Sequence, residues 1–251
     1  MAKLFEIVAY TDDLLETYRF QDYCPNGLQV EGAGDVRTIV SGVTACQALI
    51  DAARQKQAQL ILVHHGYFWK GENASLVGMK RERIRSLLDA NISLLAYHLP
   101  LDAHPVFGNN AQLAEQLGFV VEGQFGQGNP PIGLYGRLQQ AMNAEELSSH
   151  LTAKLDRAPL HIAGDSTKIN RIAWCTGAAQ GYIEQALALG VDAYLSGEIS
   201  EQTVHVARET GMHYFSAGHH ATERYGAQAL GRHLADHFGL EHHFVDINNP
   251  V

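Results

Sequence analysis

The sequence predicts an α/β protein built from a duplicated unit, and three observations carry that expectation. β-favouring runs alternate with helical patterns along most of the 251 residues. The second half of the chain repeats the first at fixed offsets. Histidine and carboxylate residues also cluster at matching points of both halves, each time just after an apolar, strand-like run.

The first repeat opens on "VRTIVSGVT" (36–44), a run rich in β-branched residues that reads as a strand. "ACQALIDAARQKQ" then carries apolar residues at helical spacing, and "AQLILVH" is a second strand from which Gly66 permits a sharp exit. The loop "GYFWKGENASLVG" leads to a helix, "MKRERIRSLLDAN", and a third strand, "ISLLAYH". Gly-Asn-Asn at 108–110 opens the helix "NAQLAEQLG", which Gly118 closes. Strands and helices alternating at this spacing favour a largely parallel sheet with helices on its faces.

"IVSGVTACQALIDAARQKQAQLILVHHG" repeats as "RIAWCTGAAQGYIEQALALGVDAYLSGEIS" at an offset of 133, which places Gln47 on Gln180, Ile50 on Ile183 and Leu62 on Leu195. His64-His65 then falls on Gly197-Glu198. A second offset, 121, sets "YHLPLDAHPVFGNNAQLAEQLG" on "GHHATERYGAQALGRHLADHFG", with His98 on His219 and Asp102 on Glu223. Apolar matches follow from any two βαβ units, but a repeated His-x-x-x-acid pair does not. The repeats divide the chain into 1–118, with an N-terminal helix, and 169–251. Between them, 119–168 is Gly- and Pro-rich at first and then helical from an N-cap at Asn143. It reads as a connecting β/α segment without chemistry of its own.

Composition limits the function. A formal charge of −9 argues against a general nucleic-acid surface, which needs clustered Lys and Arg. Cys24, Cys46 and Cys175 form no C-x-x-C pair, so neither a disulfide framework nor a thiolate zinc site is expected. The N-terminus carries acids where a signal peptide needs an apolar core, and no run approaches the ~20 apolar residues of a membrane span. A cytoplasmic protein is expected.

Histidine is the unusual entry in the composition, with 14 residues. His64 and His65 end a strand, and Asp102 follows another. His219 and Glu223, four apart, share one face if a helix covers both. Each of these singly is more often a solvated or surface residue. Together they follow the C-terminal ends of strands, where open α/β sheets place their sites. Five imidazole and carboxylate ligands are too many for one tetrahedral ion and suit two divalent metals, which Zn, Fe, Mn or Ni could equally supply. His233, His237 and the pair His242-His243 read instead as helix-surface and edge-strand residues.

The motifs "DYCPNGLQVEG", "SGVTACQAL", "VHHGYFWKGE", "YHLPLDAHP", "WCTGAAQ", "SGEISEQTVHVARE" and "AGHHATER" together resemble the bacterial Nif-three-like (YbgI-type) family. Its members carry the name GTP cyclohydrolase 1 type 2 homologue. The resemblance runs from about residue 20 to 250 and is weakest over 119–168. It implies duplicated, intertwined three-layer α/β/α units with a dinuclear metal site between them. It also implies a toroidal homo-hexamer, in which loop residues such as Phe68 and Trp69 would be buried. Carried over by motif, the family's metal ligands fall on His64, His65, Asp102, His219 and Glu223. His98, the repeat copy of His219, is then a distant ligand or a proton shuttle. Glu198, the copy of His65, orients a ligand or caps the following helix.

The function so implied is metal-dependent hydrolysis of a purine nucleotide by ring opening of GTP, with His98 and Glu198 as candidate catalytic residues. No P-loop is present, so a triphosphate would need Lys70, Lys80 or Arg81, which read more simply as a solvated basic helix start. A rival reading is a metal-binding regulatory or chaperone protein without turnover. Action on DNA or damaged nucleotides is a third, against which the negative charge weighs. No membrane partner is expected.

Overall fold

In the computed structural model, which describes residues 1–251, the chain divides into two units that cut across the repeat boundaries drawn from the sequence. Met1–Phe107 and Gly226–Asn248 form the first unit; Gly108–Tyr225 and Asn249–Val251 form the second.

The first unit contains β1 (Ala2–Lys3), α1 (Leu4–Leu14), β2 (Gly27–Val30), β3 (Asp35–Val36), β4 (Thr38–Thr44), α2 (Gln47–Gln55), β5 (Leu60–His65), α3 (Gly78–Asp89), β6 (Ser93–Ala96) and α4 (Leu99–Ala103). The second contains α5 (Asn109–Leu117), β7 (Phe119–Phe125), β8 (Gly133–Met142), α6 (Ala144–Leu155), β9 (Leu160–Ile162), β10 (Ile169–Cys175), α7 (Ile183–Ala188), β11 (Ala193–Ser196), α8 (Glu201–Thr210) and β12 (His213–Ser216). Helix α9 (His219–Phe238) begins in the second unit, and most of its length, with β13 (Glu241–Phe244), belongs to the first. The units are therefore intertwined in sequence.

The five-stranded sheet of the first unit runs β13-β4-β5-β6-β2, parallel except at β2. Alternation along its strands sets the layers. Val40, Ile61, Val63 and Leu94 pack on Leu49, Ile50, Ile84 and Leu87 of α2 and α3. Ile39, Leu60, Leu62 and Leu95 face the other way, onto Leu4 and Ile7 of α1 and Leu230 and Leu234 of α9. Each such side chain contributes roughly 1.5–3 kcal/mol by burial, so a one-residue slip in register would be severely destabilising. This is a three-layer α/β/α unit.

The second unit repeats the plan around β10, β11 and β12, which are parallel in the same order as β4, β5 and β6. Trp174, Leu195 and Phe215 pack with Leu147 and Leu151 of α6, whereas Ala173, Tyr194 and Tyr214 pack with Ile183 of α7 and Ala207 of α8. Residues 119–168 contribute to this unit directly. β7 and β8 extend its sheet at one edge, β9 forms the other, and α6 covers one face. Asn143 caps α6 as expected, in a full capping box with Glu146. Gly118 closes α5 at φ +70°, in the left-handed region that glycine enters without penalty. No helix is long and apolar enough to cross a membrane.

Candidate metal centre

In the first unit the β5 strand delivers His64 fully buried, with Nδ1 3.0 Å from the carbonyl oxygen of Tyr97. A carbonyl only accepts, so His64 donates from Nδ1, and the lone pair of the neutral ring is on Nε2, the nitrogen nearer Asp102. His65, the next residue, has Nδ1 3.3 Å from the Thr44 hydroxyl. The strand ends at His65, and both rings turn together, with centroids 4.5 Å apart. Asp102, on the short helix α4, is also buried, and its Oδ1 lies 3.5 Å from His64 Nε2.

His98 precedes α4 and brings a third imidazole, with ring centroids 5.1 Å from His64 and 5.8 Å from His65. His64, His65 and His98 each offer a nitrogen such that the three lie within 4.8 Å of one another. Asp22, Cys24 and His98 satisfy the same distance test. That second set is a poorer metal site. Asp22 already accepts several hydrogen bonds, and burial, with the charge of Asp22, pushes the Cys24 thiol up to about 12.

In the second unit His219 is the first residue of α9, and its Nε2 lies 3.1 Å from Glu223 Oε2 one turn on. Its Nδ1 lies 2.7 Å from Glu198 Oε1. Burial alone would lower this imidazole, but the hydrogen bonds and charges of Glu223 and Glu198 outweigh it and raise His219 to about 9. Glu198 does not cap α8, because Ser200 holds that position with its side chain on the Thr203 amide. Gly177, at φ +66°, lets the chain pass close to the pair: a Cβ there would stand 2.1 Å from Glu223 Oε1.

A family model described as Duf34/NIF3 (NGG1p interacting factor 3) matches residues 2–250. The chain belongs to this family. A NIF3-family relative from Pseudomonas aeruginosa, called GTP cyclohydrolase 1 type 2 homolog, is 59% identical over 249 residues, covering 99% of this chain and 98% of the relative. A Vibrio cholerae protein of the same name is 51% identical over 249 residues and covers 98% of both chains. Among solved structures, protein ybgI, described as of unknown function, superposes with a TM-score of 0.96 at 48% identity over the whole of both chains. TTHA1606 from Thermus thermophilus does so at 0.91 and 32%, again over both whole chains.

The donor set found within each unit is imidazole and carboxylate, which suits borderline and hard divalent ions. Side-chain nitrogens poised by a carbonyl, a hydroxyl or a carboxylate on their far side are the usual arrangement around metal-ligating histidine. Two of the three basic candidates near "HHGYFWKG" are engaged with carboxylates. Lys80 pairs with Glu72 at 3.2 Å and sits 4.9 Å from the Phe68 ring centre, and Arg81 pairs with Glu82. Trp69 packs on His65 and His98, with centroids at 5.9 and 5.0 Å. Three histidines read as surface residues pack away from these clusters: His233 bonds the Tyr10 hydroxyl at 2.8 Å, His237 stacks on Tyr10, and His242 on edge strand β13 meets Ser41 Oγ at 2.8 Å.

Sequence reasoning assigned no role to Asp22, Asn26, Thr44, Tyr97 or Gly177. "DYCPN" did carry a signal, an acid and an amide spaced to wrap a turn, but nothing in it names His98 as the group it holds. The Tyr97 contribution is a main-chain carbonyl and leaves no trace in residue type.

Proposed function

We propose that this NIF3-family chain is a metal-dependent hydrolase of a purine nucleotide, opening the base in the manner that the name GTP cyclohydrolase 1 type 2 homolog describes for its relatives. In this reading His64, His65, Asp102, His219 and Glu223 together hold two divalent ions per chain. The observation that carries it is the preset tautomer of His64, whose Nδ1 is engaged by the Tyr97 carbonyl at 3.0 Å while the ring is wholly buried. A histidine serving only the core would gain nothing from facing its Nε2 toward Asp102 and two further imidazoles. The ions supply the Lewis acidity that makes water nucleophilic near neutral pH. The chain's own residues orient that chemistry: Glu198 holds His219, Tyr97 holds His64, and His98 borders the imidazole cluster. A cytoplasmic toroidal homo-hexamer is part of the proposal and is tested by light scattering at micromolar concentration, where a monomer would refute it.

The decisive experiment loads the protein with Zn, Mn, Fe or Ni and incubates each form with GTP, GMP, ATP and guanosine. Formate release from GTP is expected, with two ions per chain by elemental analysis. Two ions and no release of formate or phosphate from any nucleotide would favour a metal-binding regulatory protein without turnover.

A further inference from the structure

The side chain of Asp22 is 3% exposed and lies far from His98 in sequence, yet its Oδ1 meets His98 Nδ1 at 2.7 Å. The carboxylate also accepts the Tyr23 amide at 2.6 Å, the Leu99 amide at 2.8 Å and the Asn26 side-chain amide at 2.9 Å. Asn26 in turn accepts the His98 backbone N–H at 2.7 Å. With three N–H donors already directed at it, the carboxylate is the acceptor toward His98 as well, so the imidazole carries a ring proton on Nδ1. Its Nε2 is then a lone pair among the rings of His64 and His65.

Further contacts fix the ring. Trp69 meets it edge to face at 5.0 Å and 84°, and the indole N–H is tied to the Gly66 carbonyl at 3.2 Å. The loop bearing Trp69 is joined to the segment bearing Asp22 by the Lys70 amide on the Tyr23 carbonyl, at 2.6 Å. Phe68 in that loop is held at φ +65°, which for an aromatic residue is a strained conformation that the surroundings must enforce. Even so, 16% of the His98 side chain is exposed, enough for a solvent or ligand atom to reach it.

We propose that Asp22 and His98 act as a pair in which His98 Nε2 accepts the hydrogen bond of the attacking water and Asp22 is the positioning residue that fixes the ring for it. The inference rests on the hydrolase reading. As the water oxygen bonds to the ring carbon of the base, the π pair of that carbon's C=N bond moves onto the ring nitrogen, the water O–H bond breaks, its proton passes to His98 Nε2, and Asp22 balances the charge of the imidazolium. His98 is thereby the catalytic residue and not a further metal ligand. An aspartate holding the tautomer of a histidine base is a recurrent device, and replacing it by asparagine lets the amide donate to Nδ1 and moves the proton to the working nitrogen.

The test uses the full-length, metal-loaded protein and the variants Asp22→Asn, His98→Gln and the double variant. Each single variant is expected to lower kcat for formate release by about 100-fold or more, the usual contribution of an acid–base group, with KM within a few-fold of wild type. Metal per chain and Tm should match wild type for His98→Gln, and the double variant should be no slower than His98→Gln. On metal-free protein, nitrogen-15 spectra of labelled histidine should show His98 protonated at Nδ1, and at Nε2 in Asp22→Asn. Wild-type turnover that persists in both variants overturns this proposal alone, as does a kcat loss that tracks lost metal or lost Tm. Wild-type His98 protonated at Nε2 overturns it whatever the turnover. A wild-type protein that turns over no nucleotide overturns the hydrolase reading and this pair with it.

Discussion

A single methyl group added at Gly177 tests the candidate ligand pair of the second unit, His219 and Glu223, without replacing either side chain. Gly177 sits at φ +66°, and a Cβ there would lie 2.1 Å from Glu223 Oε1, 3.1 Å from its Cδ and 3.2 Å from His219 Nε2. The backbone has little room to retreat. Its N–H is held by Thr222 Oγ1 at 3.1 Å, and its carbonyl accepts from Glu198 N at 3.1 Å and Ser196 Oγ at 3.2 Å. The carboxylate must therefore swing away by about 1 Å or more to restore an ordinary contact distance. Metal ligands tolerate displacements of only about 0.2 Å, so Gly177→Ala should weaken metal binding by at least about 10-fold.

The substitution also carries a backbone cost of roughly 1–2 kcal/mol for a side chain in the left-handed region. In a chain of this size that lowers Tm by about 2–8 °C. Gly190 supplies the control, because it sits at φ +62° with nothing within 4 Å of its added Cβ. Gly190→Ala should share the Tm loss and keep full metal affinity. The assay is competition of each protein with a chelating indicator dye, beside thermal melts and elemental analysis. Wild-type affinity in Gly177→Ala would refute the assignment of Glu223 and His219 as ligands, and so would an equal loss of affinity in both variants.

Three further outcomes follow from the same geometry. Glu198→Gln removes the charged partner from His219 Nδ1 and should reduce metal affinity by about 10–100-fold at unchanged fold, read by the same dye competition. Asn143→Ala removes the capping box of α6 and should lower stability by about 1 kcal/mol in urea titrations while metal content stays as in wild type. His242 is held down to about 4, first by burial and then by the charges of Arg232 and His243. Folding thus disfavours its imidazolium: its contribution is complete above pH 6.5 and is lost as pH falls toward 4. Allowing for its partial exposure, about 1–2 kcal/mol should disappear over that window in wild type and not in His242→Gln, measured by denaturation at pH 7.5 and 4.5.

The layers of both sheets were legible because burial on two faces leaves continuous apolar runs, as in "LILV" of β5, and because helix periodicity brings Leu49, Ile50 and Ala53 to one side. The candidate ligands were legible for a related reason. His64, His65, Asp102, His219 and Glu223 are ionisable residues where strand and helix patterns call for none. The 119–168 stretch was harder. Its antiparallel strands β7, β8 and β9 have one exposed face, so Val121 and Leu160 point outward and the apolar pattern that marks a buried strand is missing. The return of 226–248 into the first unit was hidden for another reason. The apolar face of α9 would suit any sheet, and strand pairing of β13 with β4 is a main-chain event that residue type does not encode.

The duplication also explains why the two units present different chemistry from one plan. Each places a histidine where the third parallel strand gives way to a helix, His98 in one and His219 in the other, with a carboxylate one turn on. Each sets that histidine's Nδ1 at 2.7 Å from a buried or half-buried carboxylate. The source of the carboxylate differs. In the second unit it is Glu198, at the end of the second parallel strand. At the equivalent position the first unit has His65, so no acid is available there, and Asp22 from the N-terminal segment takes its place. That strand end supplies imidazoles instead, those of His64 and His65. With an imidazole and not a carboxylate at 65, His98 is held by a carboxylate from another segment. His65→Glu, which copies the second unit's carboxylate into the first, should therefore remove an imidazole from the cluster and, at the same time, set a second carboxylate near a histidine already held by Asp22.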